Sequence, residues 1–225
     1  GQSKRPNVLF IISDDLTASI GFSKQVDGRP VISLIFCHLG QTQDLDQLQR
    51  VISDCGPQIE SSARQRSFVS MQQLLDHSFP AGLRHYWRSY FLDRLDDEAI
   101  ATLLEWSKSA PSLSSSVLLE RYTGFASRVA AGATAFSHRN KPYNLHILAC
   151  WQEQRDDDEN TAWADGFWKA LKPFSDGTVY GNFLGDEGAT RVRAAYGNNY
   201  DRLVGVKQKH DPTNMFRLNN NIDPG

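Results

Sequence analysis

The chain has 225 residues, 40% of them hydrophobic, which is enough for one large domain or two small ones. Its 24 basic and 26 acidic residues give a formal net charge of −2, so no basic excess points to nucleic acid or to an anionic membrane surface. The 3 cysteines lie far apart without a CxxC motif, which argues against a disulfide framework and a cysteine-rich zinc site. No apolar stretch approaches the roughly 20 residues that span a bilayer, and we expect a cytoplasmic protein that stays out of membranes.

The chain opens with an apolar run at residues 8–12 that leads into Asp14 and Asp15. Adjacent carboxylates suit a hard divalent cation. The stretch RPNVLFIISDDL, residues 5–16, resembles the first strand of the type I sulfatases, and the resemblance implies calcium binding by the two aspartates. A sulfatase also needs a Cys-x-Pro-Ser-Arg or Ser-x-Pro-Ser-Arg segment. No cysteine begins one, and SAPSL at Ser109 lacks the arginine, so we expect no metal site and retain Asp14 and Asp15 as its candidate ligands.

Residues 23–30 are polar and rich in turn formers, so we place a boundary between an N-terminal extension (1–27) and a main domain (28–225). Beyond it, branched and aromatic runs alternate with apolar residues at helical spacing. The predicted strands are 31–39, 83–92, 114–122, 144–151 and part of 177–188. The predicted helices are 44–56, 67–76, 96–109, 157–171 and 188–210, the last broken near Gly197. Short links and strands with two distinct faces favour an antiparallel sheet with helices on one face, the α+β class.

The C-terminal region is the most specific part of the chain. The stretch YGNNYDRLVGVKQKHDPTNMFRLNNNI, residues 196–222, closely resembles the C-terminal signature of the berberine-bridge-enzyme-like FAD-linked oxidases. The matching positions are Tyr196, Gly197, Asn199, Tyr200, Arg202, Leu203, Lys207, Asp211, Pro212, Asn214, Phe216, Arg217, Asn219, Asn221 and Ile222. Upstream, SDGTVYGNFLGDEG resembles the family's Tyr-x-Asn-Tyr segment, and TAFSHRNKPYNLHILACW resembles its preceding loop and strand. The likeness extends from about Gly28 to the C-terminus.

The resemblance implies a fold and a reaction. The fold is the substrate domain of a vanillyl-alcohol-oxidase-type flavoprotein, an antiparallel sheet whose exposed face covers the isoalloxazine ring and forms the substrate pocket. The C-terminal segment, about residues 178–225, is implied to return to the flavin domain. Substrates of the family are alcohols, sugars, or benzylic and amine carbons, and the flavin takes a hydride from them.

The candidate catalytic and flavin-binding residues follow from this resemblance. A hydride leaves an alcohol carbon readily only if the hydroxyl proton goes to a base, and Tyr180 holds the family's tyrosine position. Its pKa, normally about 10, would have to be lowered by a cation or hydrogen bonds. Asn182 on the predicted strand and Asn219 and Asn221 in the tail are the candidate flavin ligands, although each can equally satisfy local backbone. The family's second tyrosine is Phe183 here, which puts in doubt any mechanism that needs two hydroxyls.

The candidate substrate-binding residues come from a strand and a loop. Strand alternation puts His85 and Trp87 on one face and Arg88 on the other, so only part of this strand can line a pocket. His138 and Arg139 could reach the pocket from the loop after residue 133. A loop histidine is more often a local hydrogen-bond partner, and that explanation stays open for His138.

Flavin binding by this chain alone is expected to be weak or absent. No glycine-rich pyrophosphate loop precedes residue 28, and backbone donors in such a loop supply much of dinucleotide affinity. We therefore predict the C-terminal half of an FAD-dependent oxidoreductase for an alcohol- or sugar-like substrate, incomplete by itself, with a separate FAD-domain chain as a possible partner. The alternatives are a non-catalytic remnant, a binding module, or one half of a split enzyme. A sulfatase-related hydrolase is the least favoured.

Overall fold

The computed structural model describes residues 17–36, 53–54, 66–122, 127–185, 188–218 and 220–225. Within these residues, the strands form one antiparallel sheet in the order β2-β1-β4-β5-β3. The strands are β1 (Thr17–Lys24), β2 (Pro30–Phe36), β3 (Arg84–Leu92), β4 (Ser116–Tyr122) and β5 (Tyr143–Trp151). The helices are α1 (Phe68–Gln72), α2 (Asp97–Lys108), α3 (Asp157–Leu171), α4 (Ala189–Tyr196) and α5 (Tyr200–His210). None of the helices in this described part is long and apolar enough to cross a membrane.

The first two strands form a hairpin. The chain reverses at residues 25–29, where Gly28 adopts a φ of +80° that residues with a side chain rarely accept. β1 then pairs with β4 on its other side, which makes Thr17–Lys24 an interior strand of the described sheet. This strand is part of the sheet although it precedes the boundary that the sequence suggested after residue 27.

The core lies between one face of the sheet and helices α2 and α3. Alternate residues of β5 point toward the helices, and Leu145, Ile147 and Ala149 are fully buried there. α3 contributes the side chains of Phe167 and Leu171, which are also fully buried. This arrangement confirms the predicted α+β class, because the apolar face of the sheet packs against the apolar faces of the helices.

Helix α2 begins as its sequence predicts. The side chain of Asp96 accepts a hydrogen bond from the Ala99 amide at 3.0 Å, and two further acids lie in the first turn, where the helix dipole favours them. Ile100 in this helix is 40% exposed. Leu103 carries the buried side of the helix instead.

The predicted strand within residues 177–188 is wrong. The chain runs beside β3 with one backbone hydrogen bond, from Phe91 N to Thr178 O, and then forms a 3-10 turn at Gly181–Phe183. A single bond cannot make a ladder, so this segment closes the β3 edge without becoming a strand. The predicted helix at 44–56 lies outside the described residues except for Ser53 and Asp54, and the apolar run at 8–12 lies outside them entirely.

The break in the C-terminal helical region falls where the sequence predicts it. α4 ends at Tyr196, a 3-10 turn covers Gly197–Asn199, and α5 follows directly. Gly197 has a φ of +50°, and a Cβ built there would lie 2.9 Å from Ser137 Oγ. Glycine is therefore required both by the backbone conformation and by the close approach of the neighbouring loop.

His138 ties that loop to α4. Its Nε2 lies 2.8 Å from the carbonyl oxygen of Ala194 in the last turn of the helix, and the residue is 6% exposed. A neutral imidazole donates this bond and satisfies a carbonyl at the helix end. Burial disfavours the charged ring, and it therefore lowers the pKa of His138 below its usual 6.5.

This geometry predicts a specific loss of stability in acid. Below pH 6.5 the unfolded chain gains a proton at residue 138 before the folded chain does, so the free energy of unfolding falls as the pH drops toward the folded pKa. The loss is about 1.4 kcal/mol for each unit by which the pKa is lowered. His138→Gln keeps an N–H donor but cannot titrate, and urea unfolding between pH 8 and pH 5 should show a shallower pH dependence than wild type. The exposed His210→Gln is the control for the altered charge, and equal slopes in His138→Gln and wild type would contradict the prediction.

Candidate active site on the open face of the sheet

Two adjacent strands place a group of polar side chains on the face away from α2 and α3. Side chains alternate along a strand, so Glu120 and Tyr122 of β4 share this open face, as do Asn144 and His146 of β5. The register pairs Glu120 with Asn144 across the two strands. We call these four residues the polar cluster.

The polar cluster is joined by short contacts centred on one carboxylate oxygen. Glu120 Oε2 lies 3.0 Å from His146 Nε2, 3.1 Å from Asn144 Nδ2 and 3.4 Å from the Tyr122 hydroxyl. Asn144 Nδ2 also lies 2.9 Å from the Tyr122 oxygen and 2.9 Å from His146 Nε2. An amide, an imidazole and a phenol therefore surround a single carboxylate.

Burial differs among the members of the polar cluster. Asn144 and His146 are fully buried, whereas Glu120 and Tyr122 are only partly buried, and the Glu120 side chain is 23% exposed. Asn144 Oδ1 and His146 Nδ1 are buried atoms that have no hydrogen-bond partner within the described part of the chain. Burial and the nearby Glu120 carboxylate both disfavour the phenolate and raise the pKa of Tyr122 well above its ordinary 10, so Tyr122 remains a hydrogen-bond donor.

Aromatic rings enclose the polar cluster. Phe183 stacks on the His146 ring with centroids 3.8 Å apart, and Trp87 lies 5.9 Å from Phe183. On the other side, Phe136 lies 6.1 Å from the Tyr122 ring and 5.7 Å from the Tyr180 ring, edge to face in both cases. Aromatic side chains therefore flank the carboxylate on two sides, an arrangement that can hold a flat or apolar ligand over a polar centre.

The structure places Tyr180 at the border of the polar cluster. Its phenol is close enough to Tyr122 that a charge on Tyr180 raises the pKa of Tyr122, and its hydroxyl accepts a hydrogen bond from Asn182 Nδ2 at 2.9 Å. The sequence placed Asn182 on the same strand face as Tyr180. The two side chains do meet, but through the 3-10 turn that replaces the strand. Phe183, at the family's second tyrosine position, supplies the ring over His146.

The other predicted residues are divided between the two faces. Trp87 and His85 lie on the open face, where His85 Nδ1 contacts the buried Cys150 Sγ at 3.2 Å. Arg88 lies on the helix-covered face, where its Nε donates to Asp165 at 2.9 Å with the side chain only 17% exposed. The prediction that Arg88 lines the pocket is therefore wrong, because strand alternation turns it toward α3.

The loop residues and the tail contribute indirectly. His138 caps α4, and the Arg139 guanidinium lies over the Phe136 ring with its carbon 5.3 Å from the centroid. Asn221 has a buried Oδ1 with no hydrogen-bond partner among the described residues, and its predicted flavin role stays a prediction. Asn219, Asp14 and Asp15 lie outside the described residues.

Sequence reasoning missed the polar cluster entirely. The available signal was the pair of polar positions two residues apart within otherwise apolar runs, LLERY in β4 and NLHIL in β5. Each pair alone fits a strand with one solvated face. Only the β4–β5 register shows that Glu120, Tyr122, Asn144 and His146 are neighbours.

Comparison with known proteins agrees with this architecture. The family described as "Berberine and berberine like" matches residues 179–223. An FAD-linked oxidoreductase of Dictyostelium discoideum is 25% identical over 99% of this chain and 49% of its own length. The FAD-linked oxidoreductase YgaK of Bacillus subtilis is 27% identical over 94% of this chain and 47% of its own length. The chain spans about half the length of the curated relatives that it matches.

Solved structures show the same fold. The BBE-like protein #28 of Arabidopsis thaliana superposes with a TM-score of 0.75 at 20% identity, over 93% of this chain and 50% of that one. The 6-hydroxy-D-nicotine oxidase of Arthrobacter nicotinovorans superposes with a TM-score of 0.76 at 23% identity, over 95% and 49% respectively. These superpositions confirm the predicted fold, an antiparallel sheet with helices packed on one face. Together with the match at residues 179–223 and the FAD-linked relatives, they show that the chain is similar to the berberine-bridge-enzyme-like FAD-linked oxidoreductases.

Proposed function

We propose that the chain is the substrate-binding half of an FAD-dependent oxidoreductase that oxidises an alcohol- or sugar-like carbon, with Glu120 as the proton acceptor. The observation that carries this proposal is the polar cluster on the face that α2 and α3 leave uncovered. A scaffold sheet gains nothing from buried imidazole and amide groups with unmade hydrogen bonds, since each costs roughly 1–3 kcal/mol. A ligand that hydrogen-bonds to these groups would satisfy them.

The open face suits a flavin and a substrate. Aromatic rings at Trp87, Phe136 and Phe183 offer apolar surface to a flat ring system, and the Asn182 amide can donate to and accept from a polar ring edge. A bound flavin would supply the acceptor for a hydride from the substrate carbon. The residues of this chain then have to hold the substrate and receive the proton that its hydroxyl loses as the carbonyl forms.

Glu120 is placed to receive that proton. Its Oε2 is occupied by the contacts from Tyr122, Asn144 and His146, whereas no described residue bonds its other oxygen. The partly exposed carboxylate can therefore accept a hydrogen bond from a substrate hydroxyl. The His146 ring contacts the other oxygen of this carboxylate. It can orient the carboxylate and stabilise it after proton transfer, as the partner of a catalytic base commonly does.

Tyr180 is the other candidate base. Its hydroxyl borders the polar cluster and accepts a hydrogen bond from Asn182 Nδ2 at 2.9 Å. Tyr180 as base requires the loss of a phenol proton near neutral pH, whereas a carboxylate is already ionised there. We therefore assign Tyr180 the role of orienting the substrate hydroxyl toward Glu120.

Single substitutions separate these roles. In the protein expressed from the complete gene, Glu120→Gln should lower kcat by about 100-fold or more with flavin content unchanged, because general-base catalysis contributes on that scale. Tyr180→Phe should affect KM more than kcat, and Ser116→Ala, on the open face outside the polar cluster, serves as the control. The measurement is steady-state oxidation of a panel of primary alcohols and sugars. A larger kcat loss in Tyr180→Phe than in Glu120→Gln would give the base role to Tyr180, and no oxidation by a flavin-loaded wild type would refute the proposed activity.

The C-terminal tail combines a fixed backbone with exposed apolar side chains. The Asp211 carboxylate accepts hydrogen bonds from the Met215 amide at 2.7 Å and the Phe216 amide at 3.0 Å, and Lys207 bonds both that carboxylate and the Phe216 carbonyl. The lysine and the two amides lower the pKa of Asp211. While the backbone is fixed in this way, the side chains of Met215, Phe216 and Leu218 remain 75%, 76% and 88% exposed. A fixed loop with large exposed apolar side chains is typical of an interface.

We propose that this surface contacts a flavin-binding part of the complete protein, which would correspond to the half of the FAD-linked relatives outside the aligned region. Phe216→Ser should then weaken the packing of that part against this surface, because a buried aromatic anchor is commonly worth about 2 kcal/mol or more, about 30-fold in the equilibrium between the packed and separated forms. The measurement is flavin retention by the complete gene product during dilution and gel filtration. Leu113→Ser, at a 50% exposed position remote in sequence, is the matched control. Equal flavin retention in both variants and in wild type would exclude this surface as the interface.

A further inference from the structure

The side chain of Asn199 holds the loop at residues 131–135 through three backbone carbonyl groups. All five of these residues are solvent-exposed, yet three of their carbonyl groups turn inward to the same amide. Asn199 Nδ2 lies 2.7 Å from Ala131 O, 3.1 Å from Thr134 O and 3.4 Å from Ala135 O. Asn199 is 8% exposed, so these bonds are protected from competing water.

Two further contacts support the same loop. Arg202, one helical turn after Asn199, donates from Nη1 to Gly132 O at 2.9 Å. Gly197 lets the helix junction approach closely, since an added Cβ would lie 2.9 Å from Ser137 Oγ and 3.3 Å from His138 Cε1. The junction between α4 and α5 therefore fixes the position of residues 131–138, which we call the gripped loop.

The gripped loop continues directly into the wall of the candidate site. Phe136 follows Ala135, whose carbonyl is the third acceptor for Asn199. The Phe136 ring packs edge to face against Tyr122 and Tyr180 and also lies 6.2 Å from the Phe91 ring. A shift of the loop would therefore move Phe136 and admit water beside Tyr122.

We propose that Asn199 is a positioning residue of the candidate active site, which acts through the loop at residues 131–135 to hold Phe136 against Tyr122 and Tyr180. Asn199 touches neither the polar cluster nor the space in front of it. This inference rests on the proposed function in one respect: it takes the polar cluster to be the reacting centre. The structural consequence, partial shielding of Tyr122 from water, does not depend on that function.

Tyr122 itself reports on this environment. The groups that face its hydroxyl are Glu120, Asn144 and Tyr180, and His146 joins them through Glu120 and Asn144. Burial is the largest reason for its raised pKa, followed by the charge of Glu120. Loss of the Phe136 wall would rehydrate the phenol and lower its pKa toward 10, whereas a general loss of stability without loop movement would leave the titration of the folded protein unchanged.

The test compares two neighbouring asparagines. Asn199→Ala removes the gripping amide, and Asn198→Ala removes the same group from the exposed position beside it. The protein is labelled at tyrosine Cζ, the Tyr122 signal is assigned by its absence in Tyr122→Phe, and its midpoint is followed by NMR titration on the alkaline side. We expect a midpoint lowered by about one pH unit or more in Asn199→Ala, and the wild-type midpoint in Asn198→Ala.

An unchanged Tyr122 midpoint in folded Asn199→Ala would overturn the proposal. If circular dichroism shows that Asn199→Ala does not fold, Asn199→Leu, which has a similar volume and likewise lacks a donor, is titrated in its place and judged by the same criterion. The titration needs neither flavin nor substrate. A lowered midpoint in an enzyme that oxidises nothing would therefore refute the proposed oxidase activity and leave the positioning role of Asn199 intact.

Discussion

The two-residue alternation of β4 and β5 is the constraint on which the rest of the structure depends. It sends Leu119, Leu145 and Ile147 into the core beneath α2 and α3 while the intervening positions face the other way. A one-residue slip in register would bury the carboxylate of Glu120 among the core side chains. The register is therefore enforced by the hydrophobic effect on one face, and the geometry of the polar cluster on the other face follows from it.

The C-terminal segment helps to cover the open face of the sheet with aromatic side chains. Strands alone would leave His146 and Tyr122 in contact with water, whereas Phe183 from the 3-10 turn and Phe136 from the gripped loop cover them. Both rings are held by the same part of the chain, since Asn220 bonds the turn at Gly181 O and Asn199 bonds the loop. Asn199, a residue of the C-terminal signature, is thus used for folding this cover, which explains why its amide is bonded to backbone.

Regular elements could be predicted from the sequence because their signal is local. The α3 helix from Asp157 to Leu171 was predicted at its observed bounds, since acids mark its start and Trp163, Phe167 and Leu171 recur at helical spacing. The course of the chain at Thr178 could not be predicted in this way, because one hydrogen bond to an edge strand leaves no periodic pattern. The polar cluster was missed for a related reason: strand pairing is non-local, and a single sequence does not state which strands are neighbours.

The charge within the polar cluster also limits what can bind there. The groups that contact Glu120 are a phenol held in its neutral form, an amide and an imidazole, and the surrounding walls are aromatic. A second anion at about 4 Å from an ionised Glu120 would meet a repulsion of roughly 4 kcal/mol at an effective dielectric constant near 20. A hydroxyl or an ammonium group meets no such penalty and can donate to the open carboxylate oxygen. The proposed substrate is therefore a hydrogen-bond donor with an apolar or flat body, because such a ligand satisfies Glu120 and uses the aromatic walls at the same time.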